Sequence, residues 1–307
     1  MPHTSIPQTE IDILLEAFPQ GIVAFDLETT GLSPYVDRVV ELAAVKIDQD
    51  KNVTSFESLV NPQISIPLSN QKIHHISDEM VKNSPLLESI LPQFLSFVKN
   101  SPLIAHNASF DMGFLIYFMQ QSHLELIPLD LFDSLKLARK VLSKGPANKK
   151  LETLGNYFEL PRKALHRALD DSLACIRVVA NCLLIMKKQD ILQRARHIAH
   201  LYNLSAFKAA TADQIPQKLQ PLLEFVGKGD ILEIEYLGGT VNRRFRPVIP
   251  VGILPMPKGH VLYAQCVLSS KYKNFVLKKI KSVQILDELR KSDWKKHLEQ
   301  IGKKEVQ

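Results

Sequence analysis

Two acidic residues, Asp26 and Glu28, follow directly on the apolar run IVAF at residues 22–25. On a β-strand, residues i and i+2 face the same side, so the two carboxylates project together from the end of the strand. An isolated pair of this kind is typical of a solvated strand face. Here the preceding apolar residues predict a buried central strand, and the ends of such strands are where the sites of α/β proteins collect.

Two further acids and a histidine stand in helix-like segments. Asp111 occurs near the start of the apolar helix in AHNASFDMGF, where an acid is also stabilised by the helix dipole. In LHRALDDSLACIRVV, helical spacing places Asp171 on the stripe of Cys175 and Asp170 on a polar stripe, so Asp171 is the candidate ligand. His166 lies five residues before Asp171, which predicts a position on the loop or in the first turn; a surface histidine at a helix start has the same pattern.

Four clustered carboxylates and a histidine predict one chemistry. Two charges about 4 Å apart repel by roughly 4 kcal/mol at an effective dielectric constant of about 20, so such acids either take up protons or bind divalent cations. All-oxygen ligation favours Mg²⁺ or Mn²⁺ over zinc. Two such ions stabilise the attacking and leaving oxygens of a phosphodiester, while a neutral histidine accepts the proton of the attacking water.

The elements that must position these residues alternate along the first half of the chain. Predicted strands are GIVAFDLE, RVVELAAVKID, SFESLVNP and PLIAHN. Predicted helices are SPLLESILPQFLSFVKN, SFDMGFLIYFMQQS, SLKLARKVL, KLETLGNYFEL and LDDSLACIRVVANCLLIMKK. This alternation predicts an α/β domain over residues 1–188, with a mixed sheet flanked by helices. We expect a helical connector at 189–228, a small all-β unit at 229–288 and a basic tail at 289–307.

Composition and charge limit the classes of protein. The chain has 307 residues with 45% hydrophobic residues, which fits two globular domains. The longest nearly apolar run, VVANCLLIM, is much shorter than the ~18 residues of a membrane span, and no secretory signal is visible, so we expect a cytoplasmic protein with no membrane partner. Residues 1–188 carry 18 Lys and Arg against 21 Asp and Glu, whereas residues 189–307 carry 20 against 11. An acidic half beside a basic half suits a cation site next to a polyanion-binding module; a solvated lysine-rich surface has the same composition.

The three acidic motifs resemble those of a known family. FDLETTG, HNASFD and HRALDD match, in order, the motifs of the DEDDh 3′→5′ exonucleases, and residues 18–186 resemble the proofreading subunit of bacterial replicative DNA polymerases. The resemblance implies a ribonuclease-H-like fold and hydrolysis at the 3′ ends of DNA or RNA, releasing nucleoside 5′-monophosphates. It implies two Mg²⁺ ions, replaceable by Mn²⁺, and His166 as the general base. The metal ligands would be Asp26, Glu28, Asp111 and Asp171.

The same resemblance implies contacts with the substrate. Thr29 would contact the terminal nucleotide, and Asn107 and Phe110 would shape its pocket. The segment KIHHISDEM resembles the I-H-G-I-T segment of the family, where Ile73 would pack on the terminal base and His74 would approach the sugar. This chain has a histidine, at position 75, where the family commonly has glycine. Ordinary loop packing is the alternative for Ile73.

The basic C-terminal part is similar to WYL domains, which are SH3-like barrels that bind ligands or nucleic acid in bacterial regulators. The similarity covers about residues 229–286, although the Trp-Tyr-Leu that names the family is absent. In RRFRPV, Arg244 and Arg246 share one face of a predicted strand and are candidate contacts for phosphates. A soluble basic edge strand is the alternative.

Other functions remain open from the sequence alone. One alternative is a nucleic-acid-binding regulator whose nuclease-like half no longer cuts, although no acid of the motifs is missing. A second is an RNA-trimming or short-oligonucleotide exonuclease, because no residue distinguishes ribose from deoxyribose. A polymerase or repair complex is a candidate partner.

Overall fold

The structure, a computed structural model, describes residues 6–125, 127–161, 166–209, 215–238, 245–257 and 259–305. Contacts divide the chain into two compact units. Unit 1 comprises Met1–Gly31 and Arg38–Ser205, and unit 2 comprises Leu32–Asp37 and Ala206–Gln307. No helix among the described residues combines the length and apolar composition that crossing a bilayer requires.

Unit 1 is built on a six-stranded mixed sheet. Its strands are β1 (Ile22–Thr29), β2 (Val39–Ile47), β3 (Val53–Leu59), β4 (Leu103–Ala105), β5 (Asp130–Asp133) and β6 (His200–Asn203). Their order across the sheet is β3-β2-β1-β4-β5-β6. β1, β2 and β3 pair antiparallel, β4 runs parallel to both β1 and β5, and β6 is antiparallel to β5. The predicted mixed sheet is therefore confirmed, with β1 near its centre.

Nine α-helices of unit 1 fall within the described residues. They are α1 (Gln8–Ala17), α2 (Leu68–His74), α3 (Asp78–Val81), α4 (Leu87–Val98), α5 (Ser109–Gln121), α6 (Ser134–Val141), α7 (Leu151–Tyr157), α8 (Ala168–Lys188) and α9 (Ala195–Ala199). The long helix α8 packs on β1 and β2 through an apolar stripe that includes Cys175, Val179 and Leu183, all buried. Burial of this stripe holds the first turn of α8, with Asp171, over the end of β1.

The connector predicted at 189–228 is not entirely helical. Four of its residues, His200–Asn203, form β6 at the edge of the sheet of unit 1, where Leu131 pairs with Tyr202. The segment is too short for period-2 alternation to show in the sequence. Tertiary pairing with β5 and burial of Tyr202 therefore decide its conformation.

Unit 2 contains a five-stranded antiparallel sheet. Its elements are α10 (Pro221–Phe225), β7 (Leu232–Tyr236), β8 (Phe245–Leu254), β9 (Val261–Cys266), β10 (Tyr272–Val276), β11 (Ile280–Ile285) and α11 (Glu288–Glu305). The strand order is β10-β9-β8-β7-β11. An all-β unit was predicted here, and its strands enclose an apolar core that includes Leu232, Val248 and Phe275.

The sheet of unit 2 is strongly coiled but open. Its edge strands, β10 and β11, are separated only by Leu277–Lys279. From Val276, where β10 ends, to Ile280, where β11 begins, there are four Cα–Cα steps, which span at most ~15 Å. The two edge strands of a flat five-stranded sheet would lie ~19 Å apart. The sheet must therefore curl. Among the described residues no pairing of β10 with β11 closes it, so the predicted closed SH3-like barrel is not found.

Two further segments pack on this sheet. The predicted basic tail forms α11, whose Trp294 Nε1 donates to the buried Glu233 at 3.1 Å. The segment Leu32–Asp37 belongs to unit 2 by its contacts, and its Tyr35 ring lies 5.6 Å from the ring of Tyr263. A Cβ on Gly252 would meet the Tyr35 ring at 2.2 Å, so only glycine allows this approach.

Candidate active site

Three carboxylates converge at the end of β1. Asp26 and Glu28 project from the strand, and Asp171 projects from the first turn of α8, with ligand atoms all within 4.8 Å of one another. Asp171, rather than Asp170, belongs to this group, in agreement with the helical spacing. The pairing of β1 with both β2 and β4 holds the two strand acids in place.

Asp111 lies against the same group. It is only 3% exposed and occupies the first turn of α5. Burial raises the pKa of Asp26 well above its usual value, and the nearby charges of Asp111, Asp171 and Glu28 raise it further. Burial also raises the pKa of Asp111, while backbone N–H groups of Asp111 and Leu27 oppose the shift. The four predicted acids therefore share one electrostatic environment.

This donor set fits divalent cations. Burial raises the pKa of Glu28 to about 8, and the charges of Asp171, Glu41 and Asp111 act in the same direction. Without a cation, the cluster can hold its carboxylates together at neutral pH only by retaining protons. All the converging ligand atoms are carboxylate oxygens, the ligand type that hard cations such as Mg²⁺ and Mn²⁺ prefer.

An ion pair beside the cluster, between a fully buried carboxylate and a partly exposed arginine, was missed by the sequence analysis. Glu41, on β2, is fully buried and lies opposite Glu28 in the strand register. Arg167 Nε donates to both Glu41 oxygens at 3.1 and 3.2 Å, and Ala168 N–H donates to Oε2 at 2.9 Å. The pair joins the start of α8, and thus Asp171, to the sheet. The only sequence signal was an acid inside the apolar strand VVELAAV.

His166 lies in the turn before α8, with an exposed side chain. Its backbone is left-handed, at φ 58°, and Arg167 follows as the N-cap of the helix. This position agrees with the expectation of a loop or first-turn site. The role of general base stays a prediction.

His74 ends α2 and is only 1% exposed. Its Nδ1 accepts a hydrogen bond from Ile76 N–H at 3.1 Å, and Nε2 has no partner among the described residues. Burial lowers the pKa of His74; the charge of Glu41 opposes this shift, and the charges of His75, Arg167 and His166 reinforce it. The neutral ring therefore carries its proton on Nε2, as an unsatisfied donor.

His75 takes the left-handed conformation, at φ 58°, as the C-cap of α2. Glycine adopts this conformation without the steric cost that a Cβ brings, which accounts for the glycine at this place in the I-H-G-I-T segment. The left-handed turn after α2 is therefore kept, although histidine rather than glycine stands at position 75.

The other predicted substrate contacts differ in exposure. Ile73 is 49% exposed on α2, and Asn107 is exposed at a left-handed φ of 68°. Phe110 is half-buried against Phe114. The Thr29 hydroxyl donates to Gly31 C=O at 2.6 Å and can therefore only accept from a substrate.

The structure describes one of the two predicted arginine contacts in the C-terminal part. Arg244 lies outside the described residues. Arg246 is only 4% exposed, with its guanidinium 5.8 Å from the Phe275 ring centre and Nη1 3.4 Å from Cys266 Sγ. Strand alternation turns Phe245 outward and Arg246 inward, so an exposed phosphate contact at Arg246 is wrong.

Comparison with known proteins agrees with this geometry. The exonuclease family (RNase_T) matches residues 23–179, about half of the chain, and this range contains His166 and all four acids. The chain belongs to this exonuclease family, whose members are metal-dependent nucleases.

Two relatives show the extent of the similarity. DNA polymerase III PolC-type from Caldanaerobacter subterraneus subsp. tengcongensis is 41% identical over 169 residues, 55% of this chain and 12% of that protein. DNA polymerase III subunit epsilon from Treponema pallidum is 34% identical over 171 residues, 55% of this chain and 80% of that protein. The chain thus spans about an eighth of the PolC-type relative and most of the epsilon subunit.

A solved structure extends the fold similarity. Exonuclease I of E. coli in complex with a dT13 oligonucleotide aligns with a TM-score of 0.51 at 13% identity, covering 91% of this chain and 69% of that chain. At this identity the likeness concerns the fold alone. The mixed sheet with its flanking helices is the ribonuclease-H-like exonuclease fold.

Proposed function

We propose that this protein is a 3′→5′ exonuclease that hydrolyses phosphodiester bonds at the 3′ ends of DNA, or RNA, and releases nucleoside 5′-monophosphates. The observation that carries the proposal is the convergence of the Asp26, Glu28 and Asp171 carboxylates within 4.8 Å, with buried Asp111 close enough for its charge to raise the pKa of Asp26. Identity of 34% with an epsilon subunit over 171 residues supports it.

The four carboxylates would hold two Mg²⁺ ions, which Mn²⁺ can replace. When bound, such ions supply Lewis-acid activation of water and stabilise charge on the phosphodiester. The protein's own contribution is to fix the carboxylates on β1, α5 and α8. His166, exposed at the start of α8, would accept the proton of the attacking water at an imidazole nitrogen.

Substrate binding would use the donors and surfaces around the cluster. His74 Nε2–H, which is buried and unsatisfied, would donate to an oxygen of the terminal sugar. The Thr29 hydroxyl oxygen would accept from the terminal nucleotide. Exposed Ile73 would pack on the terminal base, and Asn107 and Phe110 would border its pocket.

The test follows one 5′-labelled and one 3′-labelled single strand in parallel, as DNA and as RNA, with Mg²⁺. Digestion from the 3′ end shortens the 5′-labelled strand stepwise and releases the 3′ label at once as a mononucleotide. Asp26→Asn is the inactive control. Release of the 5′ label first, or cleavage that persists in Asp26→Asn, contradicts the proposal.

We further propose that unit 2 is a nucleic-acid-binding or ligand-sensing module related to WYL domains. Its coiled five-stranded sheet and the basic excess of residues 189–307 support this. The test is photo-crosslinking of a bromouridine-labelled oligonucleotide to the full chain, with peptide mapping. Cross-links confined to unit 1 would remove nucleic acid from the role of unit 2.

A polymerase is the proposed partner, because two of the matched relatives are a polymerase and a polymerase subunit. Co-purification of the tagged chain with a replicative polymerase at physiological salt tests this.

A further inference from the structure

A cleft of about 700 Å³ opens in unit 1 beside the ends of β4 and β5. Three cations line it: Arg139 near the end of α6, Lys149 in the loop before α7, and Lys150 at the N-cap of that helix. The described lining contains no acid. Elsewhere in unit 1, Arg167, Arg177, Arg196 and Lys187 are each paired with a carboxylate.

The three cleft cations make no ion pair with any described residue. Within the part of the chain that the structure describes, the Lys149 ammonium donates only to the backbone carbonyl of Pro146, at 2.7 Å. Like charges gathered without a counter-charge repel one another, and an anion placed among them removes this repulsion.

A chain of hydrogen bonds holds the basic loop in place. A carbonyl only accepts, so His106 Nε2–H donates to Lys149 C=O at 2.8 Å. Burial lowers the pKa of His106, so the ring is neutral and Nδ1 accepts from the Ser134 hydroxyl at 2.8 Å. The Ser134 oxygen in turn accepts from the buried Cys175 thiol at 3.4 Å. The loop is thus tied to the helix that carries Asp171, and the cations are presented by a fixed backbone.

The cleft begins next to the acid cluster. Asn107, which lines it, comes two residues before α5, and Asp111 lies in the first turn of that helix, about one helical turn away. Asp133 connects the two: it accepts from Asn107 N–H at 3.1 Å, and its charge raises the pKa of Asp111.

We propose that the cleft lined by Arg139, Lys149 and Lys150 binds the phosphodiester backbone of the strand whose 3′ end lies at the acid cluster. The proposal rests on the proposed function of that cluster and adds the path of the substrate beyond its terminal nucleotide. His106 is a positioning residue that fixes the loop carrying two of the three cations. A polyanion that spans several cations gains affinity by releasing counterions, so its binding depends on salt.

The test compares charge reversals of equal size. Arg139→Glu and Lys150→Glu alter the cleft, and Lys188→Glu alters the far end of α8, ~26 Å along the helix from Asp171. We expect each cleft variant to lower kcat/KM for a 20-nucleotide single strand by roughly ten- to hundredfold, mainly through KM. The log–log salt slope should fall by about 0.7 for each lost phosphate contact. The loss should shrink as the substrate is shortened to a dinucleotide, and Lys188→Glu should match the wild type.

If the cleft variants lose the same factor in kcat/KM at every substrate length, or if their salt slope equals that of the wild type, the proposal that the cleft binds the substrate backbone is overturned. Circular dichroism and thermal unfolding verify that the variants fold, and Arg139→Gln and Lys150→Gln should give intermediate losses. Fluorescence anisotropy of the same 20-mer without divalent metal separates the two proposals. If the wild-type protein cleaves no substrate but binds the 20-mer, and the cleft variants bind it more weakly, only the proposed hydrolysis is overturned. If the wild-type protein cleaves the substrate and the cleft variants bind the 20-mer as tightly as it does, only the proposed role of the cleft is overturned.

Discussion

Arg167, which is partly exposed, forms an ion pair with the fully buried Glu41, in which Arg167 Nε donates to both carboxylate oxygens across 126 positions of the chain. Glu41 pairs with Glu28 in the strand register, and Arg167 is the N-cap of the helix that carries Asp171. The pair therefore links α8, which supplies Asp171, to β2, the strand that pairs with the one carrying Asp26 and Glu28.

Glu41→Gln should destabilise the protein, because it leaves the partly buried Arg167 charge with only the more distant Glu57 as a counter-charge. We expect a loss of about 3 kcal/mol in the free energy of unfolding, measured by urea denaturation. Glu57→Gln is the matched control: Arg167 lies 3.5 Å from Glu57, which is 45% exposed, so this change should cost less than about 1 kcal/mol. Equal effects of the two substitutions would contradict a structural role for the buried pair.

Stability without metal should depend on pH. The folded pKa values of Asp26, Glu28 and Asp111 lie above their unfolded values, with that of Glu28 raised to about 8. The folded state therefore binds more protons than the unfolded chain between about pH 4.3 and pH 8, and stability falls as pH rises through this window. We expect Tm in EDTA to fall by several degrees from pH 5 to pH 8, and Mg²⁺ to restore it.

Glu28→Gln is the control for this titration, because it removes one of the shifted carboxyl groups. Its Tm should fall less between pH 5 and pH 8, and Mg²⁺ should raise it less. Identical pH profiles for wild type and variant would show that the cluster does not contribute to the change.

His166→Gln should lower kcat by about 10²- to 10⁴-fold, because the attacking water loses its proton acceptor. Mn²⁺ binding, followed by calorimetry, should persist. His123→Gln is a close control, since His123 is also exposed and left-handed, at φ 52°, and it should retain full activity.

His74→Asn should separate substrate binding from stability. The Asn side-chain oxygen can accept from Ile76 N–H as Nδ1 does, but it offers no donor at the place of Nε2. We expect near wild-type stability and a loss of roughly tenfold in kcat/KM. His74→Phe removes the acceptor as well and should cost a further ~1–3 kcal/mol of stability. Wild-type kinetics in His74→Asn would exclude a substrate contact from Nε2.

His75→Gly should stabilise the turn after α2, because His75 holds a left-handed φ of 58°. Relative to His75→Ala, which keeps a Cβ in this conformation, we expect the glycine variant to be more stable by about 1 kcal/mol. Thermal unfolding measures the difference. An alanine variant as stable as the glycine variant would show that the backbone carries no strain here.

Local patterns were sufficient to predict the acid cluster. Strand alternation predicted the shared face of Asp26 and Glu28, and helical spacing selected Asp171 over Asp170. The ion pair of Glu41 with Arg167 could not be predicted, because it depends on which strand α8 crosses. Strand β6 was missed since four residues are too few for a period to show, and Arg246 was misplaced because burial of a charge on a β-like run depends on the curl of the sheet.

The grouping of Leu32–Asp37 with unit 2 has a practical consequence for dissecting the protein. These six residues follow the strand that carries Asp26 and Glu28, yet Tyr35 packs within unit 2, over Gly252 and beside Tyr263. Unit 2 is therefore assembled from two stretches of chain. A single stop codon after residue 205 would remove the aromatic ring that packs beside Tyr35, just downstream of β1. A loss of activity in such a truncated protein could therefore result from a change in the conformation of Leu32–Asp37 as well as from the loss of a binding module.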